Sequence, residues 1–155
     1  MTAPLRIVAF VPAKGRSERI ANKNMRILDG DYLFRRKLCQ LAHSRHISQV
    51  YLDTECDLIA AEARDLPVTR LVRPATLATN ATDGHEMFAW EVSAVPPADI
   101  YIQTLCTAPF VTAATVDRAI EALLADPEAD SLVAVSSAKQ YRWESGAPAY
   151  GCGRI

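Results

Sequence analysis

No apolar run in this chain approaches the ~20 residues of a membrane span, which argues against a helical membrane partner. The amino terminus, MTAPLRIVAFVPAKG, has too short an apolar stretch for a secretory signal and leads directly into charge. It reads as a strand, and the protein as cytoplasmic. Cysteine is sparse: Cys39, Cys56, Cys106 and Cys152 are widely separated and form no CxxC pair. His43, His46 and His85 add no ligand spacing, so a zinc–thiolate centre is not expected and the cysteines read as small, reduced apolar residues. Aromatic residues make up 7% of the chain, and its first fifty residues hold only Phe10, Tyr32 and Phe34. That is no stacking platform, and no nucleic-acid partner is expected. The phosphate-binding patterns GxxxxGK[ST] and GxGxxG are both missing. So are internal repeats and linkers, so residues 1–155 read as a single α/β domain, long enough to bury a core of its own.

What is present is an uneven distribution of charge. The net charge of −1 conceals +7 over residues 1–50, with ten Lys/Arg against three Asp/Glu, and −8 over the remainder, with seven against fifteen. The densest basic stretch is VPAKGRSERIANKN, residues 11–24, where Lys14, Arg16, Arg19 and Lys23 face a single acid, Glu18. Such a segment suits an anionic ligand, although ion pairing between the two halves would also account for the asymmetry.

Strand-like and helix-like stretches alternate along the chain. RIVAFVP, ISQVYLDT, VTRLV, DIYIQTLC and DSLVAVSSA read as strands. YLFRRKLCQLAHS reads as a helix with Leu33, Leu38, Leu41 and Ala42 inward and Arg35, Arg36 and Lys37 on the other side. ECDLIAAEARDL reads as a helix with Leu58, Ile59, Ala63 and Leu66 on its inner face, TDGHEMFAWEVSAV and TAATVDRAIEALLAD are further helices, and the glycine-rich end after Lys139 is loop-like. This alternation predicts an α/β/α domain around a mostly parallel sheet. Ligands of such sheets bind beyond the carboxyl ends of the strands, which singles out loops 12–24, 73–83 and 105–112.

Within the first loop, Gly15 permits close backbone approach to a ligand, and Ser17 and Asn24 offer hydrogen bonds to oxygen. Asp53 and Glu55 end a strand, where either a helix cap or a metal ligand fits. Arg73 precedes a proline and is either a strand-end residue or a ligand contact. Gln103 is either a buried polar residue or a ligand contact. Met87, Phe88 and Trp90 read as core in preference to a base-stacking surface.

The stretch VPAKGRSERIANKN resembles the N-terminal signature of the acylneuraminate cytidylyltransferases, relatives of the CMP-Kdo synthetases, with Ala13, Lys14, Ser17, Lys23 and Asn24 at the family's spacing. Arg73, Pro74, Ala75, Leu77 and Ala78 match the family's Arg-Pro-Ala-x-Leu-Ala, and CTAPFVTAATVDRAI is similar to its Thr-Ser-Pro-Leu-Arg segment. The chain departs from the pattern where Leu105-Cys106 replaces Gln-Pro and Val111 replaces Arg. Family enzymes also continue beyond this length with an aspartate pair that helps to hold Mg²⁺, so the chain is expected to be shortened at its carboxyl end.

The resemblance implies a three-layer nucleotidyltransferase fold and a cytidylyltransferase that couples CTP to a nonulosonic, sialic-acid-like sugar acid with Mg²⁺ and releases pyrophosphate. It implies that Lys14 and Lys23 are catalytic cations. Ala13, Gly15, Arg16, Ser17, Asn24, Arg73 and Asn80 would complete the nucleotide site, with Arg73 toward the cytosine carbonyl, and Gln103 would contact the acidic sugar. It also leaves room for a homodimer. The alternative is a non-catalytic nucleotide-binding or assembly module.

Overall fold

The computed structural model describes residues 4–17, 20–79, 81–135, 143–145 and 147–148. Arg19, Asn80 and Cys152 lie outside them. β1 (Ile7–Pro12), β4 (Gln49–Asp53), β5 (Thr69–Leu71) and β6 (Ile100–Gln103) form one sheet in the order β5-β4-β1-β6, with every pairing parallel. β2 (Ile27–Leu28) and β3 (Asp31–Tyr32) form a small hairpin ahead of α1 (Leu33–Ala42). α2 (Asp57–Ala61) follows β4, α3 (Gly84–Ser93) precedes β6 and α4 (Ala113–Ala125) follows it. β7 (Trp143–Glu144) and β8 (Ala147–Pro148) pair with each other as an antiparallel ribbon.

β1 is central and apolar on both faces, and its alternation builds two cores. Ile7, Ala9 and Val11 pack with Phe34, Leu38 and Leu41 of α1, Ile59 of α2, and Val116 and Ile120 of α4. Val8 and Phe10 turn the other way, where Phe88 and Val92 of α3 close over Tyr51. Phe10 stacks on Tyr51 with ring centroids 5.7 Å apart and meets Phe88 edge-on at 6.1 Å. The result is the expected α/β/α arrangement, with α1, α2 and α4 on one face and α3 on the other.

Three expectations are corrected. Residues 131–135 form no strand: Val133 and Val135 are 78% and 87% exposed, because β6 is paired with β1 alone among the described residues and no ladder reaches them. Lys37 is not on the polar face of α1 but fully buried, since Phe34, Lys37, Leu38 and Leu41 share one stripe. Leu58, assigned to the inner face of its helix, is 56% exposed, because α2 is only one turn long beyond its start.

Part of the charge asymmetry is met by pairing between the halves. Arg35 reaches Asp65 at 2.7 Å, and Arg45 reaches Asp117 at 3.3 Å and Glu121 at 3.0 Å. The loop after β1 turns toward the carboxyl edge of the sheet.

Candidate functional site

A cleft of about 320 Å³ opens at that edge. The loop after β1 supplies Lys14 and Ser17, and a 3₁₀ turn, Lys23–Met25, supplies Lys23 and Asn24. Arg73, Leu77 and Thr79 come from the segment after β5, Thr82 and Met87 from the start of α3, and Leu105, Cys106 and Thr107 from the loop after β6. All three loops singled out by the strand pattern therefore converge on one cavity. A larger cavity of about 550 Å³ lies among β4, α2 and β5. Its lining is mostly aliphatic, and Arg70 there is tied to Asp57 at 2.8 Å, so it lacks the converging polar groups of the smaller cleft.

The loop is held in place by hydrogen bonds to the neighbouring strand end. The Ala13 amide donates to the Asp53 carbonyl at 2.9 Å, and the Ala13 carbonyl accepts from Thr54 Oγ1 at 2.7 Å. The Gly15 amide donates to Glu55 Oε1 at 2.8 Å. Asn24, 7% exposed, donates Nδ2 to the Lys14 carbonyl at 2.9 Å and closes the loop on itself. Gly15 is required for space, because a Cβ there would stand 2.7 Å from Cys56 Cβ.

These bonds sort the expected site residues. Lys14, Ser17, Lys23, Asn24 and Arg73 line the cleft. Ala13 is fully buried with both backbone groups engaged, and the Gly15 amide is taken by Glu55, so both shape the loop without lining the cavity. Arg16 is exposed and does not line the cleft either. Gln103 is also outside the lining: its Nε2 donates to Glu91 Oε2 of α3 at 2.6 Å. Asp53 and Glu55 do not cap α2, whose start has no side-chain cap. Asp53 instead receives Arg73 Nε at 2.9 and 3.0 Å, and Arg73 Nη2 also bonds its carboxylate. Asp53 is fully buried and Arg73 is 4% exposed, so this is an interior ion pair with its cation at the cleft wall.

Two contributors escaped the sequence reading. Lys37 Nζ donates to the Val111 carbonyl at 2.7 Å, and Gln40 Nε2 donates to the Pro109 carbonyl at 2.8 Å, so α1 secures the loop that carries Leu105, Cys106 and Thr107. The signal was there in the spacing: Lys37 lies three residues after Phe34 and four before Leu41. Cys106 itself is an inert lining residue, since burial pushes its thiol up to about 12.

Mg²⁺ is usually held by one or two carboxylates together with substrate phosphates and water. The cleft lining holds cations, hydroxyls and an amide but no carboxylate, and no group of three His, Cys, Asp or Glu among the described residues could hold a metal. The described residues therefore do not fit a metal site.

Residues 8–147 match a protein family described as cytidylyltransferase. A sequence search of curated proteins found no match. Among solved structures, the chain is similar to a CMP:2-keto-3-deoxy-manno-octonic acid synthetase complexed with CTP, with a TM-score of 0.65 at 16% identity over 79% of this chain and 49% of that one. It is similar to a 4-diphosphocytidyl-2C-methyl-D-erythritol synthase, with a TM-score of 0.64 at 13% identity over 96% of this chain and 68% of that one. It also resembles Rv0371C of Mycobacterium tuberculosis H37Rv in complex with manganese, with a TM-score of 0.53 at 18% identity over 75% and 58%. At these identities the likeness is one of fold. The chain spans about half the length of the octonic acid synthetase.

Proposed function

The chain belongs to the cytidylyltransferase family, and we propose that its cleft binds the triphosphate of CTP and serves transfer of the cytidylyl group to an acidic sugar of the nonulosonic class. The observation that carries this reading is the convergence of Lys14, Ser17, Lys23 and Arg73 on one cavity at the carboxyl edge of a parallel sheet. In the transfer, a sugar hydroxyl oxygen gives up its proton to solvent and forms a bond to the α-phosphorus, the bond from that phosphorus to the bridging oxygen breaks, and pyrophosphate leaves. Negative charge gathers on the phosphoryl oxygens and on the leaving group. Fixed cations facing those oxygens stabilise it, and positioning supplies much of the remaining acceleration. In this assignment Lys14 and Lys23 contact phosphate, Ser17 donates to a phosphate oxygen and Arg73 faces the nucleoside. The resemblance implies Mg²⁺, while the described residues offer it no carboxylates.

Calorimetry with CTP, ATP and GTP tests the reading. CTP is expected to bind most tightly, and equal affinities would remove the cytidine assignment. A charged hydrogen bond is worth roughly 1.5–3 kcal/mol, so Lys23→Ala should weaken CTP about ten- to hundred-fold. Its melting temperature should stay close to wild type, because surface substitutions usually change stability by less than ~0.5 kcal/mol. A variant that binds CTP like wild type would leave Lys23 as surface charge only. The cleft lining, which holds no carboxylate among the described residues, fits a second reading as well, a nucleotide-binding module without transfer. Tight CTP binding with no pyrophosphate release in the presence of sugar acid and Mg²⁺ would select it.

A further inference from the structure

Behind Arg73 lies a buried acid that the reading above leaves without a task. Glu91, on α3, is fully buried. The charged and polar groups that face it are Asp53 from β4, Arg73 from the segment after β5 and Gln103 from β6. Its Oε2 accepts from Gln103 at 2.6 Å, while its Oε1 has no hydrogen-bond partner. One guanidinium thus sits among two buried carboxyl groups. Both cannot ionise in a dry interior without a large cost. Asp53 holds the charge, since Arg73 Nε and Nη2 both bond to it.

We propose that Asp53 and Glu91 form an acid pair sharing one proton, and that this pair positions Arg73 at the cleft wall, with Nη1 as the donor left for a ligand. The proposal rests on the cytidylyltransferase reading for the identity of that ligand. With Glu91 neutral, Asp53 alone balances Arg73. Once Glu91 ionises, a second negative charge competes with an anionic ligand for the guanidinium and repels its phosphates. Burial first, and then the charge of Asp53, push the Glu91 carboxyl up to about 8, while Gln103 and Arg73 pull the other way. An acid raised in the folded state holds its proton where the unfolded chain has lost it. Its contribution to stability is therefore largest at low pH, falls from the ordinary carboxyl range up to about 8, and is level above that.

The test uses Glu91→Gln, which keeps the shape and an acceptor for Gln103 but cannot ionise. CTP affinity is measured at pH 7.5 and 9.5, where phosphate groups have already lost their last proton. Wild type should weaken about tenfold across that interval, equivalent to a one-unit shift of the Glu91 titration on binding, and the variant less than about twofold. Melting temperature should fall between pH 6 and 9 in wild type more steeply than in the variant. Identical pH profiles in both measurements would overturn the acid pair. A melting difference without the affinity difference would leave Glu91 a structural brace and overturn its role on Arg73. If neither protein binds CTP, the cytidylyltransferase reading fails and the melting profiles alone decide the pair. If Glu91→Gln does not fold, the carboxyl carbon shift of Glu91 in wild type, followed by NMR, decides instead: a midpoint near the ordinary carboxylate value overturns the proposal.

Discussion

Lys37 shows how much a single buried side chain can organise. It has no acid partner among its described contacts, only the Val111 carbonyl at 2.7 Å, and burial lowers its affinity for a proton. A base depressed in the folded state binds fewer protons than the unfolded chain, so stability should rise with pH toward the ordinary lysine range. Lys37→Met, which keeps the length and removes the charge, should flatten that alkaline rise in melting temperature. It should also weaken CTP binding, because the loop carrying Leu105 and Thr107 loses its tether. An alkaline melting profile identical to wild type would mean that Lys37 keeps an ordinary, hydrated ammonium. Arg73 teaches the complementary lesson: a residue expected to be either a strand-end residue or a ligand contact is an interior ion-pair partner that also reaches the cavity.

At the scale of elements, the loop after β1 and the loop after β4 behave as one unit. Gly15 bonds Glu55 and packs so closely on Cys56 that any side chain at position 15 collides. Gly15→Ala should therefore displace the loop, with overpacking costing about 1–3 kcal/mol, and weaken CTP binding through Lys14 and Ser17. Cys56→Gly removes the colliding atoms at a helix start where glycine is tolerated. The double variant should recover CTP affinity toward wild type. Failure to recover would show that Gly15 is needed for something other than space. The helices mattered less as ligand carriers than as clamps: α1 holds the 105–112 loop through Lys37 and Gln40, and α3 places Glu91 behind Arg73.

For the whole molecule, the decisive property is where positive charge gathers. Arg35 and Arg45 of the basic half are paired with acids of the other half, while Lys14, Lys23 and Arg73 gather at one edge. Exposed charges are screened within about 10 Å at 0.1 M salt and about 3 Å at 1 M. CTP affinity should accordingly drop several-fold when salt is raised from about 0.05 to 0.5 M, with a much smaller change in melting temperature, because the Asp53–Arg73 pair is shielded from solvent. A flat salt response in calorimetry would place the binding energy outside the cationic cleft. Among the described residues no helix is long and apolar enough to cross a membrane.

Local pattern sufficed for the main strands and helices and for the edge of the sheet where the candidate cleft lies. The unbroken apolar run in RIVAFVP specifies a strand buried on both faces, a 3.6-residue period specifies the helices, and parallel topology sends the loops after β1, β5 and β6 to one edge. The motif spacing was enough to single out Lys14, Ser17, Lys23, Asn24 and Arg73. What the sequence could not decide was which polar groups are already satisfied. Ala13, Gly15 and Gln103 are spent on Asp53, Glu55 and Glu91, partners 12 to 40 residues away that only the folded sheet brings within reach. The exposed segment 131–135 makes the same point from the other side. Its composition favours a strand, but a strand exists only where a neighbouring backbone offers its hydrogen bonds, and none among the described residues does.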